Sequence, residues 1–125
     1  MDRFWFVLGS AFSGLGVAAG AFAAHALRQK LPAELLAIFE TGARYQIYHG
    51  LGLLAVAFAV TRWPLGHAEW AGWAFLTGIL LFSGSLYTLS LSGVRAVGAV
   101  TPLGGVCFLA GWALLAWGVG MAGSN

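Results

Sequence analysis

The charged residues of this chain are bunched. Between the bunches run four stretches without Asp, Glu, Lys or Arg: Phe4–Leu27, Tyr45–Thr61, Trp70–Val94 and Ala96–Met121. At the helical rise of about 1.5 Å per residue the first is roughly 36 Å long, enough to cross a hydrocarbon core of about 30 Å. The pattern predicts membrane spans over about 4–27, 45–61, 70–92 and 99–121. Pro and Gly punctuate them: Trp63-Pro64-Leu65-Gly66 reads as a turn, Gly93-Val94-Arg95 opens the last connection, and Thr101-Pro102 starts the fourth span.

The longest connection, 28–44, has its own pattern. Pro32 is tolerated in a first helical turn, and Glu34 suits the positive end of the helix dipole. Leu35, Leu36 and Phe39 form an apolar face, with Glu34, Glu40 and Thr41 pointing outward. Glu40 and Arg44 are four apart, in the favourable order for a helical ion pair. This predicts a short interfacial helix over about 32–43, lying on the membrane surface. The expected fold class is an all-α membrane protein: four transmembrane helices in an up-and-down bundle plus that interfacial helix between the first two. Residues 1–125 form a single membrane domain.

Composition sharpens this. The chain is 60% hydrophobic and 8% charged, against about 25% charged in soluble domains, so no separate soluble domain is expected. Nineteen glycines fit membrane helices, where Gly is frequent. Gly16 and Gly20 form a GxxxG element extended by Ala24, and Ser10 and Gly14 repeat the spacing; such pairs let helix backbones approach closely. Trp5, Trp63, Trp70 and Trp73 lie near span ends, at the expected headgroup level, whereas Trp112 and Trp117 lie deeper and pack or face lipid. Six basic residues against four acidic ones are too sparse for nucleic-acid binding. Cys107, alone, excludes an internal disulfide, offers no metal pair and reads as a buried thiol. Arg3 and Ala21-Phe22-Ala23 imitate a signal peptide, but the apolar run is longer than a usual h-region, and the first span is read as retained. Arg28, Lys30, Arg44 and Arg95 outnumber Arg3 and Arg62, which favours cytoplasmic connections and both termini outside.

Polar side chains gather at one end of the spans. His25 ends the first; Arg44, Tyr45, Gln46, Tyr48 and His49 open the second; Tyr87, Ser90, Ser92 and Arg95 close the third; Thr101 begins the fourth. An up-and-down topology puts these on one side. The opposite rim offers Asp2, Arg3, Arg62, His67, Glu69, Ser124 and Asn125. The candidate ligand-binding cluster is therefore His25, Arg44, Tyr45, Gln46, Tyr48, His49, Tyr87 and Arg95. His49 lies about 7 Å deeper than Arg44. An ionisable group inside a span is a functional-site hypothesis by default. A neutral histidine needs partners, for which His25, Gln46 or Tyr87 are at hand. His49 is then either an interhelical lock or a ligand- or proton-handling group.

Arg44 is either an anchor paired to Glu40 or a cationic seat for a lipid phosphate, with Arg28, Lys30 and Arg95 beside it. Haem across His25 and His49 is awkward because both look rim-proximal, and a metal would lack a third ligand. No metal and no cofactor are expected. There is no GxSxG, Walker loop, HExxH or pair of intramembrane carboxylates, so nothing points to an enzyme. The lack of any Asp or Glu inside a span also counts against a proton-coupled transporter.

Several of these segments resemble one family. Gly20–Leu27 (GAFAAHAL) is similar to the GAFGAHAL signature of small bacterial membrane proteins catalogued as domain of unknown function 423. These are the YgdD/YwdK-like proteins, with a mitochondrial relative called transmembrane protein 256. Phe39–His49 resembles the family's F-x-T-x-x-x-Y-Q-x-Y-H stretch; Phe82–Tyr87 and Thr101–Gly105 match its third and fourth segments. One departure is Ala23, where the signature usually has Gly. The resemblance implies a four-helix, multi-pass bacterial inner-membrane protein and implies no activity. The leading expectation is a non-enzymatic membrane protein whose 28–44-side rim binds a lipid headgroup, small ligand or partner protein. The alternatives are a small oligomeric transporter or channel and a haem-binding redox component. Expected partners are membrane lipids and a second copy or small membrane protein; nucleic acid is not expected.

Overall fold

The computed structural model describes residues 1–64 and 67–122. Among them every regular element is helical: α1 (Asp2–His25), a 3-10 turn (Leu27–Gln29), α2 (Ala33–Arg62), α3 (Ala68–Gly78), a π turn (Ile79–Ser83), α4 (Gly84–Ser92), a 3-10 turn (Arg95–Ala99) and α5 (Thr101–Gly120). The π turn joins α3 and α4 into one rod, so four rods pack together. Three segments, Asp2–Gln29, Ala68–Ser92 and Arg95–Gly120, are long and apolar enough to cross a membrane. The turn expected at Trp63-Pro64-Leu65-Gly66 falls partly outside the described residues, as do Ser124 and Asn125.

The separate interfacial helix over 32–43 does not form. Residues from Ala33 onward belong to α2, a continuous helix of 30 residues. The hydropathy pattern breaks at Arg44, but charge does not break a helix. Between Pro32 and Pro64 the chain has no proline, and proline is what removes an internal hydrogen bond. Glycines at 42, 50 and 52 are tolerated because they serve packing. Tyr45, Gln46, His49 and the flanking charges make α2 more polar than the three apolar segments. It can be so because it is the central rod: it packs on α1, α3, the π turn and α4, and touches α5.

One core cluster joins Trp5, Leu53, Val56, Phe75, Ile79 and Phe108. Trp5 is 0% exposed, packed inside the bundle near the start of α1. Gly72 leaves the space its indole fills. A second cluster, Ala23, Leu27 and Phe39 with Tyr87 against it, fastens the start of α2 to the end of α1. Ala23, the departure from the family signature, is fully buried there.

α1 and α2 approach most closely where neither has a side chain to spare. A Cβ on Gly50 would stand 2.9 Å from the Ser13 nitrogen and 3.1 Å from the Gly9 carbonyl oxygen; one on Gly9 would stand 2.7 Å from the Gly50 oxygen. The contact stripe on α1 is Gly9–Ser13–Gly16, not the expected Gly16–Gly20 and Ser10–Gly14 pairs. Gly14 and Gly20 have nothing within 4 Å of a built Cβ. Several small-residue stripes run along α1, and the one that meets Gly50 is used.

α4 ends at Gly93, whose φ of 74° lies in the left-handed region that favours glycine. The following turn brings Arg95 to 3.2 Å from Glu34. Both side chains are largely exposed, so this bridge adds little stability.

Gly50→Ala is expected to destabilise the bundle by about 1–3 kcal/mol, the usual cost of overpacking. Gly20→Ala, facing open space, is expected to be neutral or slightly stabilising. Thermal unfolding of the two variants in one detergent compares them; equal losses would remove the assigned α1–α2 contact.

Candidate functional site

His49 projects from the middle of α2 into the bundle and both of its ring nitrogens are engaged. The Trp112 indole N–H, which can only donate, reaches Nε2 at 3.0 Å. Nε2 is therefore the acceptor, and Nδ1 carries the proton that it donates to the Tyr45 carbonyl at 2.8 Å. These bonds define a neutral ring. It lies flat on Phe108, with centroids 3.5 Å apart and planes 5° from parallel, and Phe75 stands 5.4 Å away.

Gln46, on the same helix, ties together two further rods. Its Nε2 donates to the Phe12 carbonyl of α1 at 2.9 Å, and its Oε1 accepts from the Tyr87 hydroxyl of α4 at 2.6 Å. The buried Ser83 hydroxyl donates to the Gly42 carbonyl at 2.7 Å. Ser85 and Thr101 share a hydroxyl–hydroxyl bond of 2.5 Å between α4 and α5.

The π turn makes this alignment possible. Phe75, Ile79, Ser83 and Tyr87 recur every four residues along the α3–α4 rod. In an unbroken α-helix each step of four overshoots by about 40°, so the last would have drifted by roughly 120°. The wider π turn takes up that drift. Apolar Phe75 and Ile79 and polar Ser83 and Tyr87 then all face the other rods.

Beside His49 an open groove of about 470 Å³ runs between α2 and α5. Tyr45, Tyr48, His49, Phe82, Gly105, Phe108, Leu109 and Trp112 line it, and its walls are almost wholly carbon. Tyr45 packs on Phe82, with ring centroids 4.8 Å apart, and on Tyr48 at 5.4 Å.

The expected cluster therefore divides. Gln46 and Tyr87 meet directly. Tyr45, Tyr48 and His49 share the groove. His25, Arg44 and Arg95 join neither group. Gly50 packs on Ser13, so His49 is about level with that residue and roughly 18 Å along α1 from the exposed His25. His25 is thus no partner of His49, and the occupied ring nitrogens of His49 leave none free for a haem iron. The Glu40–Arg44 ion pair does not form among the described residues; Glu34 takes Arg95 instead, and Arg44 is exposed. No three His, Cys, Asp or Glu side chains converge among the described residues. Cys107 is half-buried.

Sequence reasoning missed Trp112 as a donor, and with it Phe82, Phe108 and Gly105 as groove walls. The only signal was faint: Phe108 and Trp112 are four apart, and Gly104 and Gly111 lie on the same side of α5.

Three helical segments long and apolar enough to cross a membrane, joined by interhelical hydrogen bonds from Gln46, His49 and Tyr87, define a helical membrane protein. Residues 19–105 match the family described as "Protein of unknown function (DUF423)". The chain is 43% identical to a UPF0382 membrane protein of Staphylococcus saprophyticus, over 93% of this chain and 96% of that protein. It is also 43% identical to the UPF0382 membrane protein YwdK of Bacillus subtilis, over 90% of this chain and 93% of that one. The chain belongs to the DUF423 family, as the GAFAAHAL and Y-Q-x-Y-H segments implied. No solved structure matches it.

Two outcomes follow from the network. A double-mutant cycle of Gln46→Leu and Tyr87→Phe is expected to give a coupling of about 0.6–1.7 kcal/mol, the range for interhelical bonds in membranes; a value near zero would deny the bond a role. Nitrogen NMR of labelled histidine is expected to show His49 as the neutral tautomer protonated at Nδ1. Trp112→Phe should shift the Nε2 resonance alone.

Proposed function

We propose that the chain crosses the bilayer four times and binds an anionic ligand, a lipid headgroup first among them, at its 28–44-side rim without catalysing a reaction. The observation that carries this reading is a division among polar groups. Gln46, His49 and Tyr87, inside the bundle, are each hydrogen-bonded to a neighbouring helix. Arg28, Lys30 and Arg44, at the rim, are exposed. The recognition chemistry left over is cationic and lies where headgroups would be.

Support for α2 as the fourth crossing comes from its length. Arg44 and Arg62 are separated along it by roughly 27 Å, close to a hydrocarbon thickness of about 30 Å. Between them Gln46 and His49 face other rods, whereas Tyr48 and Thr61 are exposed. The same placement lets Ala33–Ala43 continue beyond the hydrocarbon with the end of α1. The Lys and Arg excess favours the cytoplasmic face of a bacterial inner membrane for this rim and the outside for both termini.

Against catalysis, His49 has no free nitrogen to accept or deliver a proton. Against a pore through one copy, Trp5, Leu53, Val56 and Phe75 fill the bundle towards the other rim, leaving no polar path.

The rim reading is tested on protein purified from membranes of mixed phosphatidylethanolamine and phosphatidylglycerol. The quadruple variant Arg28→Gln, Lys30→Gln, Arg44→Gln, Arg95→Gln is expected to lose the enrichment of the anionic lipid that wild type retains; equal enrichment in both overturns it. In a Cys107→Ala background, Lys30→Cys and Arg62→Cys are expected to react with an impermeant thiol reagent from opposite faces. Labelling from one face would remove α2 as a crossing.

A further inference from the structure

We propose that the groove between α2 and α5 seats one acyl chain of an anionic phospholipid whose phosphate is held by Arg44. This narrows the rim reading above and rests on it.

Arg44 and Tyr48 are four apart on α2 and so share a face. Tyr48, 49% exposed, is a wall of the groove. Arg44 is exposed, and no carboxylate lies within ion-pair distance of it among the described residues. Its guanidinium is therefore free for an oxyanion, which it can engage through two parallel N–H bonds. The Tyr48 hydroxyl makes no hydrogen bond among the described residues, and Tyr48 stands one helical turn beyond this cation along α2. The groove runs along α5 from Gly105 to Trp112, roughly 10 Å, away from the rim. A cation one turn before the Tyr48 wall, a hydroxyl on that wall and a carbon-lined trough beyond match the order of a phospholipid: phosphate, ester, chain.

The lining decides against other occupants. A polar ring or sugar at the His49–Trp112 end of the trough would find no partner there, because both His49 nitrogens and the Trp112 N–H are already bonded, and each unpaired polar atom would cost free energy. An acyl chain has none to pair. The trough also opens sideways, so a lipid can enter from the bilayer.

Gly105 provides the means to close it. A Cβ there would meet only the Phe82 ring, at 4.0 Å, so Gly105→Leu starts its side chain in open space on the trough wall, and an unfolding temperature as in wild type is the check that the rods are undisturbed. The probe is phosphatidylglycerol with a photoactivatable diazirine in its acyl chain, in vesicles otherwise of phosphatidylethanolamine. Its phosphatidylcholine counterpart serves as control. Crosslinks on wild type are expected to map to Tyr48 and to 105–112. They should be about fivefold more frequent with phosphatidylglycerol, the equivalent of about 1 kcal/mol for one basic residue.

Gly105→Leu is expected to remove these crosslinks with both lipids. Arg44→Gln should lower phosphatidylglycerol to the phosphatidylcholine level and leave the map in place. Unchanged labelling in Gly105→Leu, with unfolding temperature as in wild type, overturns the seat. So does equal labelling by the two lipids in wild type, or labelling that a second protein displaces. If the seat falls while the quadruple rim variant still loses anionic lipid, the rim reading stands and its site lies at Arg28, Lys30 or Arg95. If the quadruple variant loses nothing, both fall.

Discussion

A polar side chain in an apolar solvent must find its partner on the protein. In this chain nearly all of that demand falls on α2. Gln46 reaches the backbone of α1 and the Tyr87 hydroxyl of α4, and His49 reaches Trp112 of α5. Gly42 offers its carbonyl to Ser83. These bonds specify which faces of four otherwise greasy rods meet. They also explain why the most polar helix is the central one: the other rods shield it and supply its partners.

Two backbone devices make that arrangement reachable. The first is the close approach at Gly9, Ser13 and Gly50, where a single methyl would collide with backbone. It brings α1 near enough for the Phe12 carbonyl to accept from Gln46. The second is the π turn at Ile79–Ser83. It keeps a four-residue repeat aligned over three turns, so that one rod presents Phe75 to the core and Tyr87 to Gln46. Van der Waals contact provides the adhesion between helices, and the hydrogen bonds select its register.

The same economy separates structure from function. His49, Gln46 and Tyr87 look like chemistry, yet here each is hydrogen-bonded to another helix. What remains uncommitted is plainer: exposed cations such as Arg28, Lys30 and Arg44, and a carbon-lined groove between α2 and α5.

Much was legible in the sequence. Charge-free runs show long apolar helices because the cost of a charge in hydrocarbon is local to the residue that carries it. Pro32, Gly93 and Thr101-Pro102 mark helix ends through backbone constraints that need no neighbours. The family resemblance was carried by contiguous motifs. Gln46, His49 and Tyr87 were named as polar candidates, but Trp112 was missed and the partners of each could not be assigned. Gln46 with Tyr87, His49 with Trp112, and Arg95 with Glu34 in place of Arg44 with Glu40 are pairings between distant segments, set by the rotation of each rod about its axis. Small residues on α1 offered several stripes, and only Gly50 on α2 chose among them. The continuity of α2 through Arg44 was hidden for a related reason: hydropathy reports solvent preference, whereas a helix is interrupted by its backbone. Sequence alone determined which segments are helical and apolar. Packing decided which polar groups are spent inside and which stay exposed, because partners on distant segments meet only once each rod's rotation is set.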